Sequence, residues 1–237
     1  MPDADDMRSA SRPSVLPGNT FATRHYSDLV GHRYQHLVFG DASATRRGAY
    51  PAGLDTPDEG PQQVTDRERR MLTDAFAFHM ATVTPSGWPY VQYRSGPRGF
   101  VHHLGDNTFG FADFRGNQQF VSVGNLEADD RVALFIADYP LRSRLKVFGR
   151  ATVIEGDADP ELLERLSVVD DGRITARCER SIVIEVEAFD WNCSRSVVPQ
   201  YTAEQVRERV QPYIDQIHGL QDRVADLERQ LASRDQT

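Results

Sequence analysis

The stretch FADFRGNQQFVSVGNL, Phe111 to Leu126, is the most informative part of this sequence. Apolar residues alternate up to Asp113, an Arg-Gly-Asn turn follows, and the next residues can begin a helix. A strand that runs into a helix N-terminus leaves backbone N–H groups unpaired, and such an end commonly binds phosphate. Four side chains add hydrogen-bond donors there: Arg115, Asn117, Gln118 and Ser122. The alternative is an ordinary strand–turn–helix junction whose polar residues cap the helix.

Composition excludes several classes of protein. The chain has 237 residues, of which 39% are hydrophobic and 26% charged, and this size can bury one core or two small ones. A net charge of −8 argues against a general nucleic-acid binder, because phosphate contacts need a basic face. No apolar run approaches the roughly 20 residues that cross a bilayer. The first residues, MPDADDMRSASRPS, lack a secretory h-region, and two cysteines favour a reducing, cytoplasmic setting.

The sequence divides into three parts. Residues 1–64 are predicted to form an N-terminal arm: polar and partly disordered at first, able to form a short docking helix within 21–40, and extended over the surface from 41 to 64. Residues 65–201 are predicted to form the core domain, which opens with a T-x-x-E capping box at Thr65 and Glu68. Residues 202–237 are predicted to form one long helix.

The core domain shows mainly strand signals. At least six strands with short connections and no βαβ rhythm favour a closed or partly closed β-barrel with helices. The predicted strands are His79–Thr84, Pro89–Arg94, Phe100–Leu104, Thr108–Asp113, Arg131–Asp138, Leu145–Glu155 and Ser181–Trp191. Helices are expected near Asn117–Leu126 and from Asp159 or Pro160 to Val168.

The C-terminal helix carries a heptad seam of apolar residues at alternating steps of four and three. Its members are Val206, Val210, Tyr213, Ile217, Leu220, Val224, Leu227 and Leu231. Such a seam favours pairing with a second copy of the helix in a dimer, and the alternative is that it lies along its own barrel. Pro212 is expected to mark a kink or the true start of the coiled segment.

Three flanking stretches together with the opening one resemble a known family. They are HMATVTPSGWPYVQYRSGP (His79 to Pro97), RVALFIADYPLRSRLKVFGRATVIE (Arg131 to Glu155) and FDWNCSR (Phe189 to Arg195). Their order resembles the pyridoxamine 5′-phosphate oxidase-like flavoproteins, the FMN-binding split barrels, from about Thr65 to Tyr201. The resemblance implies a homodimer with FMN held in a cleft between the two subunits.

The resemblance also implies a set of cofactor-binding residues. Gln92, Tyr93 and Arg94 match the strand that borders the flavin and its phosphate. The strand that flanks the ribityl chain and ring is matched by Phe111, Ala112, Asp113 and Phe114, and the phosphate-binding turn by Arg115, Asn117, Gln118 and Ser122. Arg144 falls where the family often has a Gln from the second subunit, Trp191 matches an aromatic residue that closes the cleft, and Asn192 follows at the flavin edge.

Charge supports a phosphate site independently of the family. A phosphate needs about two positive charges or a helix terminus to offset its desolvation. Arg94 and Arg115 both lie at predicted strand ends and could converge there. The alternative for each arginine alone is a solvated surface residue.

The predicted reaction is a two-electron transfer through the flavin N5, with a nicotinamide or a small organic substrate as one partner. Oxidation of pyridoxamine phosphate itself is disfavoured, because Ser194–Thr202 lacks the family's substrate-binding His. Rival interpretations are a deazaflavin (F420) or haem protein of the same fold, and a non-catalytic dimeric scaffold. His32 and His36 lack further ligands for a metal, and Cys193 is either a packed residue or a reactive thiol.

Overall fold

The computed structural model describes residues 31–47, 57–116, 118–192 and 197–234. Strands predominate over helices in the core domain. They are β1 (Ala77–Val83), β2 (Pro89–Ser95), β3 (His102–Gly105), β4 (Thr108–Phe114), β5 (Arg131–Asp138), β6 (Ser143–Glu155), β7 (Val168–Val169), β8 (Gly172–Arg173) and β9 (Cys178–Asn192). The helices are α1 (His32–Val38), α2 (Asp41–Arg47), α3 (Asp66–Thr73), α4 (Val121–Ala128), α5 (Pro160–Leu166) and α6 (Ala203–Arg234).

Seven strands form one antiparallel sheet in the order β2-β1-β5-β6-β9-β4-β3, and β7 pairs with β8 separately. The long strands β6 and β9 form its centre, with a register shift between Phe148 and Gly149. Bulges of this kind increase local twist and bend the strand.

The sheet rolls up, because its distant strands meet. Four strands separate β2 from β4 in the hydrogen-bonded order, yet Arg94 Nη1 on β2 lies 2.5 Å from Asp113 Oδ1 on β4. Likewise the rings of Phe78 on β1 and Phe111 on β4 pack edge to face with centroids 5.5 Å apart. The apolar residues that alternate along β1, β4, β5, β6 and β9 therefore form one core inside a barrel. The predicted barrel with helices is confirmed.

Helices cover parts of the barrel. Tyr34 of α1 packs on Phe148, with ring centroids 5.5 Å apart, while Arg33 Nε donates to Glu187 at 3.0 Å. At α3 the predicted capping box is present, because Thr65 caps the helix and Glu68 accepts a hydrogen bond from the Thr65 N–H at 3.1 Å. Within the described ranges, no helix is long and apolar enough to span a bilayer.

The N-terminal arm follows expectation in one described part and differs in another. Within 21–40 the expected short helix is α1, which packs on the barrel. Asp41–Arg47 is helical instead of extended, and an acidic residue in the first turn with two arginines at the end suits a helix dipole. The predictions for residues 1–30 and 48–56 lie outside the described residues.

One helix start also differs. α4 begins at Val121 instead of Asn117, because Gln118 and Phe120 adopt left-handed backbone with φ of 61° and 51°. α6 begins at Ala203, within one residue of the predicted start, and the helix continues through Pro212. The missing proline N–H costs one intrahelical hydrogen bond, which the remaining turns outweigh.

Candidate functional site

The β4–α4 corner, residues 113–122, is where the sequence predicts the phosphate site. Phe111 and Ala112 lie just before it and are buried in the barrel core, with only 3% and 1% exposure. Phe111 packs on Phe100 as well as Phe78. These two residues can therefore border a surface ligand only through their backbone, whereas the side chain of Phe114 is exposed at the rim.

A buried carboxylate joins two arginines at the end of β4. Asp113 accepts hydrogen bonds from Arg94 at 2.5 Å and from Arg180 at 3.2 Å, and all three side chains are at most 14% exposed. Arg180 also donates to Glu155 at 3.0 Å. Desolvation lowers the pKa of Arg180, but its hydrogen bonds to Glu155 and Asp113 outweigh this effect and the pKa is raised.

One donor in this cluster is unsatisfied. Arg94 Nε is buried, and no described residue accepts a hydrogen bond from it. A buried N–H of a charged group without an acceptor is costly, so a ligand oxygen at this nitrogen would be stabilising.

The charges around the corner are balanced. Arg115 is half exposed, and its Nε lies 3.8 Å from Glu179 Oε1. Among the described side chains of the cluster, three cations therefore face three carboxylates: Arg94, Arg115 and Arg180 against Asp113, Glu155 and Glu179. An anion can bind here only by using spare donors or by displacing a carboxylate from an arginine.

The turn itself offers such donors. The N-cap residue of α4 is Phe120, whose side chain makes no capping hydrogen bond, and the first-turn N–H groups of a helix have no partner within the helix itself. With its amide oxygen turned toward Arg115, Gln118 accepts a hydrogen bond from Arg115 Nε at 2.9 Å. Two non-glycine residues at positive φ within three positions are uncommon and are typical of functional turns. Asn117 lies outside the described residues.

Hydrogen bonds fix α4 against the barrel. Ser122 Oγ donates to Gln92 Oε1 of β2 at 2.6 Å, and Asn125 Nδ2 donates to Thr82 Oγ1 of β1 at 2.8 Å. Gln92 and Ser122, both predicted to bind the cofactor, are thus hydrogen-bonded to each other. Their role at the corner is to position the start of α4.

Tyr93 lies on the other face of β2. Alternation along the strand directs Gln92 and Arg94 toward the corner, while Tyr93 is 56% exposed and packs on His79 with ring centroids 5.5 Å apart. It lines a cavity of about 320 Å³ on the outer face, together with Phe76, Phe135, Tyr139 and Tyr201.

Arg144, Trp191 and Asn192 lie at the far end of the paired strands β6 and β9. Arg144 pairs with Asn192 at one end of β6 and β9, whereas Glu155 pairs with Arg180 at the other. At ~3.3 Å per residue these ends are roughly 35 Å apart along the strands. One chain therefore does not bring these three residues to its own β4–α4 corner.

Trp191 contacts α3 of its own chain. Its Nε1 donates to Glu68 Oε1 at 2.5 Å, and the Arg67 guanidinium lies 3.8 Å from the ring centroid. Burial raises the pKa of Glu68, but hydrogen bonds from Thr65 and Trp191 outweigh it and leave the pKa below its usual range.

Other candidate groups add no further site. In the described part of the chain, no group of three or more His, Cys, Asp or Glu side chains is placed to hold a metal. His32 and His36 lie on α1, and Cys193 lies outside the described residues. Sequence reasoning missed Arg180 and Glu155. Arg180 lies on β9, which pairs with β4, and Glu155 lies on β6, which pairs with β9.

The barrel and the first part of α6 match a protein family. A family model described as pyridoxamine 5′-phosphate oxidase matches residues 64–224. No curated protein matches the chain significantly. Similar solved structures include HupZ of Group A Streptococcus, which is 17% identical, covers 58% of this chain and 99% of its own, and has a TM-score of 0.43.

Two further structures are similar. A putative pyridoxamine 5′-phosphate oxidase from Lactobacillus delbrueckii is 18% identical, with 54% of this chain and 93% of that chain covered and a TM-score of 0.42. An FMN-binding protein from Syntrophomonas wolfei is 13% identical, with 54% and 89% covered and a TM-score of 0.40.

Proposed function

The chain belongs to the pyridoxamine 5′-phosphate oxidase family, and on that basis we propose that it is an FMN-dependent oxidoreductase acting on a small molecule. The observation that carries the proposal is the buried Arg94 Nε, which lacks an acceptor among the described residues. At the same corner, the N-cap residue Phe120 provides no side-chain cap for α4. Both features call for an oxyanion, and the phosphate of FMN supplies one.

The residues of the corner have separate tasks in this proposal. Arg94, Arg115 and the first N–H groups of α4 bind the phosphate, and Gln118 orients Arg115. Asp113 fixes Arg94 in place from the opposite side. The Gln92–Ser122 hydrogen bond holds the start of α4 at β2, so the donors are preorganised.

A second subunit completes the site. Arg144, Trp191 and Asn192 lie too far along β6 and β9 to reach the corner of their own chain, so we assign them to the corner of a second copy in a homodimer. When bound, FMN supplies two-electron transfer at N5, with a nicotinamide or organic donor as the other reactant. The protein's part is to bind the cofactor, orient it and exclude water.

The charge balance bears on the choice of cofactor. F420 sites usually have a strongly basic groove. At this corner three cations are balanced by three carboxylates, which favours FMN over F420. Haem binding and a non-catalytic scaffold role are the remaining alternatives. Identification of the bound cofactor distinguishes both of them from a flavoenzyme. The two cysteines support a reducing compartment, the cytoplasm, and the segment after Trp191 argues against pyridoxamine phosphate as substrate.

The test compares FMN with riboflavin, which lacks the phosphate. The cofactor is released from the purified protein and identified by its mass. The protein without cofactor is then titrated with FMN and, separately, with riboflavin, and binding is followed by flavin fluorescence. Arg115→Ala removes a charged donor, so its Kd for FMN should rise about tenfold or more while its Kd for riboflavin stays unchanged.

Two further variants sharpen this test. Arg94→Lys keeps a positive charge beside Asp113 but removes the Nε donor. This variant should also bind FMN more weakly while its affinity for riboflavin stays unchanged. Arg131→Ala, which removes an exposed ion pair with Asp129, is the control and should bind FMN normally. A protein that binds neither flavin, or binds both equally in every variant, would contradict the proposal.

A further inference from the structure

The apolar seam of α6 is exposed along its whole length. Its eight members are between 42% and 67% exposed, and none of residues 203–234 is buried. A long helix with one apolar seam is stabilised mainly by packing that seam against something. The part of the chain that the structure describes places nothing on it.

The residue types along the seam indicate which partner fits. The steps of four and three put Val210, Ile217, Val224 and Leu231 at heptad a positions and Val206, Tyr213, Leu220 and Leu227 at d positions. Three of the four a residues are β-branched and two of the four d residues are leucine, and in a parallel coiled coil this combination favours two strands over three or four. Pro212 falls at an outward c position, where it does not interrupt the seam.

One pair of opposite charges beside the seam fits a parallel arrangement. In a parallel, in-register pair, each g residue faces the e residue five positions later in the other copy. Arg223 at g then faces Glu228 at e, and Gln216 faces Gln221. Each contact occurs twice in a symmetric pair.

We propose that α6 pairs with α6 of a second copy of this chain as a parallel, in-register, two-stranded coiled coil in which Arg223 faces Glu228. The seam from Val206 to Leu231 extends about 38 Å at ~1.5 Å per residue. The pairing gives the dimer an interface separate from the barrel, and it does not depend on which cofactor the barrel binds.

Charge reversal tests the proposed facing residues. Arg223→Glu and Glu228→Arg should each lower the midpoint of the α6 helical transition, followed by circular dichroism of the full chain, by several degrees. The double variant should restore the midpoint. Residues five apart are not neighbours on one helix, so restoration must come from a second copy.

A second double variant tests whether the two α6 helices pair in the antiparallel orientation instead. In a fully overlapped antiparallel pair, Glu228 would face Arg207 instead of Arg223. Arg207→Glu combined with Glu228→Arg should therefore give no restoration. The proposal would be overturned if only the Arg207→Glu, Glu228→Arg variant restored the midpoint of the transition, or if neither double variant restored it.

Disulfide formation gives a second, independent measurement. In a chain with Cys178→Ser and Cys193→Ser, Val224→Cys should form a covalent dimer under mild oxidation, because position 224 faces itself in register. Asp222→Cys, at the outward f position, is the control and should form several-fold less. Equal yields, or no dimer from Val224→Cys, would contradict the proposal.

The same samples separate this inference from the proposed function. Their flavin content is read from the visible absorption spectrum. A colourless protein that crosslinks at position 224 would remove the flavin proposal only, and a flavin-bound protein that does not crosslink would remove the coiled coil only.

Discussion

Asp113 lies between two arginine side chains at the end of β4, and its carboxylate is 10% exposed. Removing one partner of a buried ionic cluster leaves uncompensated charge and is strongly destabilising. We expect Asp113→Asn to lower the free energy of unfolding by about 3–5 kcal/mol, measured by urea denaturation. Because Arg94 would lose its anchor, FMN affinity should fall as well.

The control for this prediction is Asp129→Asn. Asp129 is 23% exposed and pairs with Arg131, which is 66% exposed and lowers the pKa of Asp129 to about 2, mainly through the side-chain hydrogen bond. Solvent screens such a pair, so the urea midpoint should change little. Equal midpoint losses for the two variants would show that Asp113 is not the centre of a buried cluster.

At the scale of elements, α3 is joined to the end of β9 by one carboxylate. Glu68 is 4% exposed, closes the capping box with Thr65 and accepts the Trp191 hydrogen bond. Glu68→Ala removes both contacts and should cost about 1–3 kcal/mol of stability at pH 7. Thermal unfolding of the variant beside the parent chain measures this loss.

The lowered pKa of Glu68 also predicts a pH dependence. The unfolded chain takes up the proton near the ordinary value of 4.5, before the folded chain does, so acid favours unfolding. The contribution is therefore complete above about pH 4.5 and is lost as the pH falls through the folded value. In Glu68→Gln, the free energy of unfolding should therefore depend less on pH below about 4.5.

Trp191 fluorescence isolates that effect once Trp88 is replaced by Phe. Its emission should change below about pH 4.5 in the parent, as Glu68 is protonated, and much less in Glu68→Gln. An unchanged acid transition in Glu68→Gln would assign the titration to another carboxylate.

Elements with local signals could be predicted from the sequence. The T-x-x-E box located α3, and alternation gave β5 its observed bounds, Arg131–Asp138. The start of α4 could not be predicted, because nothing in Gln118–Phe120 favours positive φ. The two-residue strands β7 and β8 carry too little pattern to detect.

The candidate site was predictable only in part, for a geometric reason. The local turn chemistry identified Arg115 and Gln118, and alternation along β2 already separates Tyr93 from Gln92 and Arg94. The Arg94–Asp113 contact depends on closure of the barrel between strands that are distant in the sheet order. No local pattern in the sequence encodes that closure.

At the scale of the whole molecule, the proposed site is shared between two chains. The corner supplies Arg115, and the far end of the paired strands β6 and β9 of a second copy supplies Arg144. Arg115→Ala and Arg144→Ala homodimers should each bind FMN weakly. A mixed dimer should regain one intact site. That site combines the intact corner of the Arg144→Ala chain with the intact β6–β9 end of the Arg115→Ala chain.

Co-expression of the two variants measures this complementation. With random pairing, about one quarter of all sites should bind FMN with parental affinity. Two chains that both carry Arg115→Ala and Arg144→Ala are the control and should regain none. If the cofactor were held within a single chain, the mixture would bind FMN no better than the separate variants, because every chain would carry one defect.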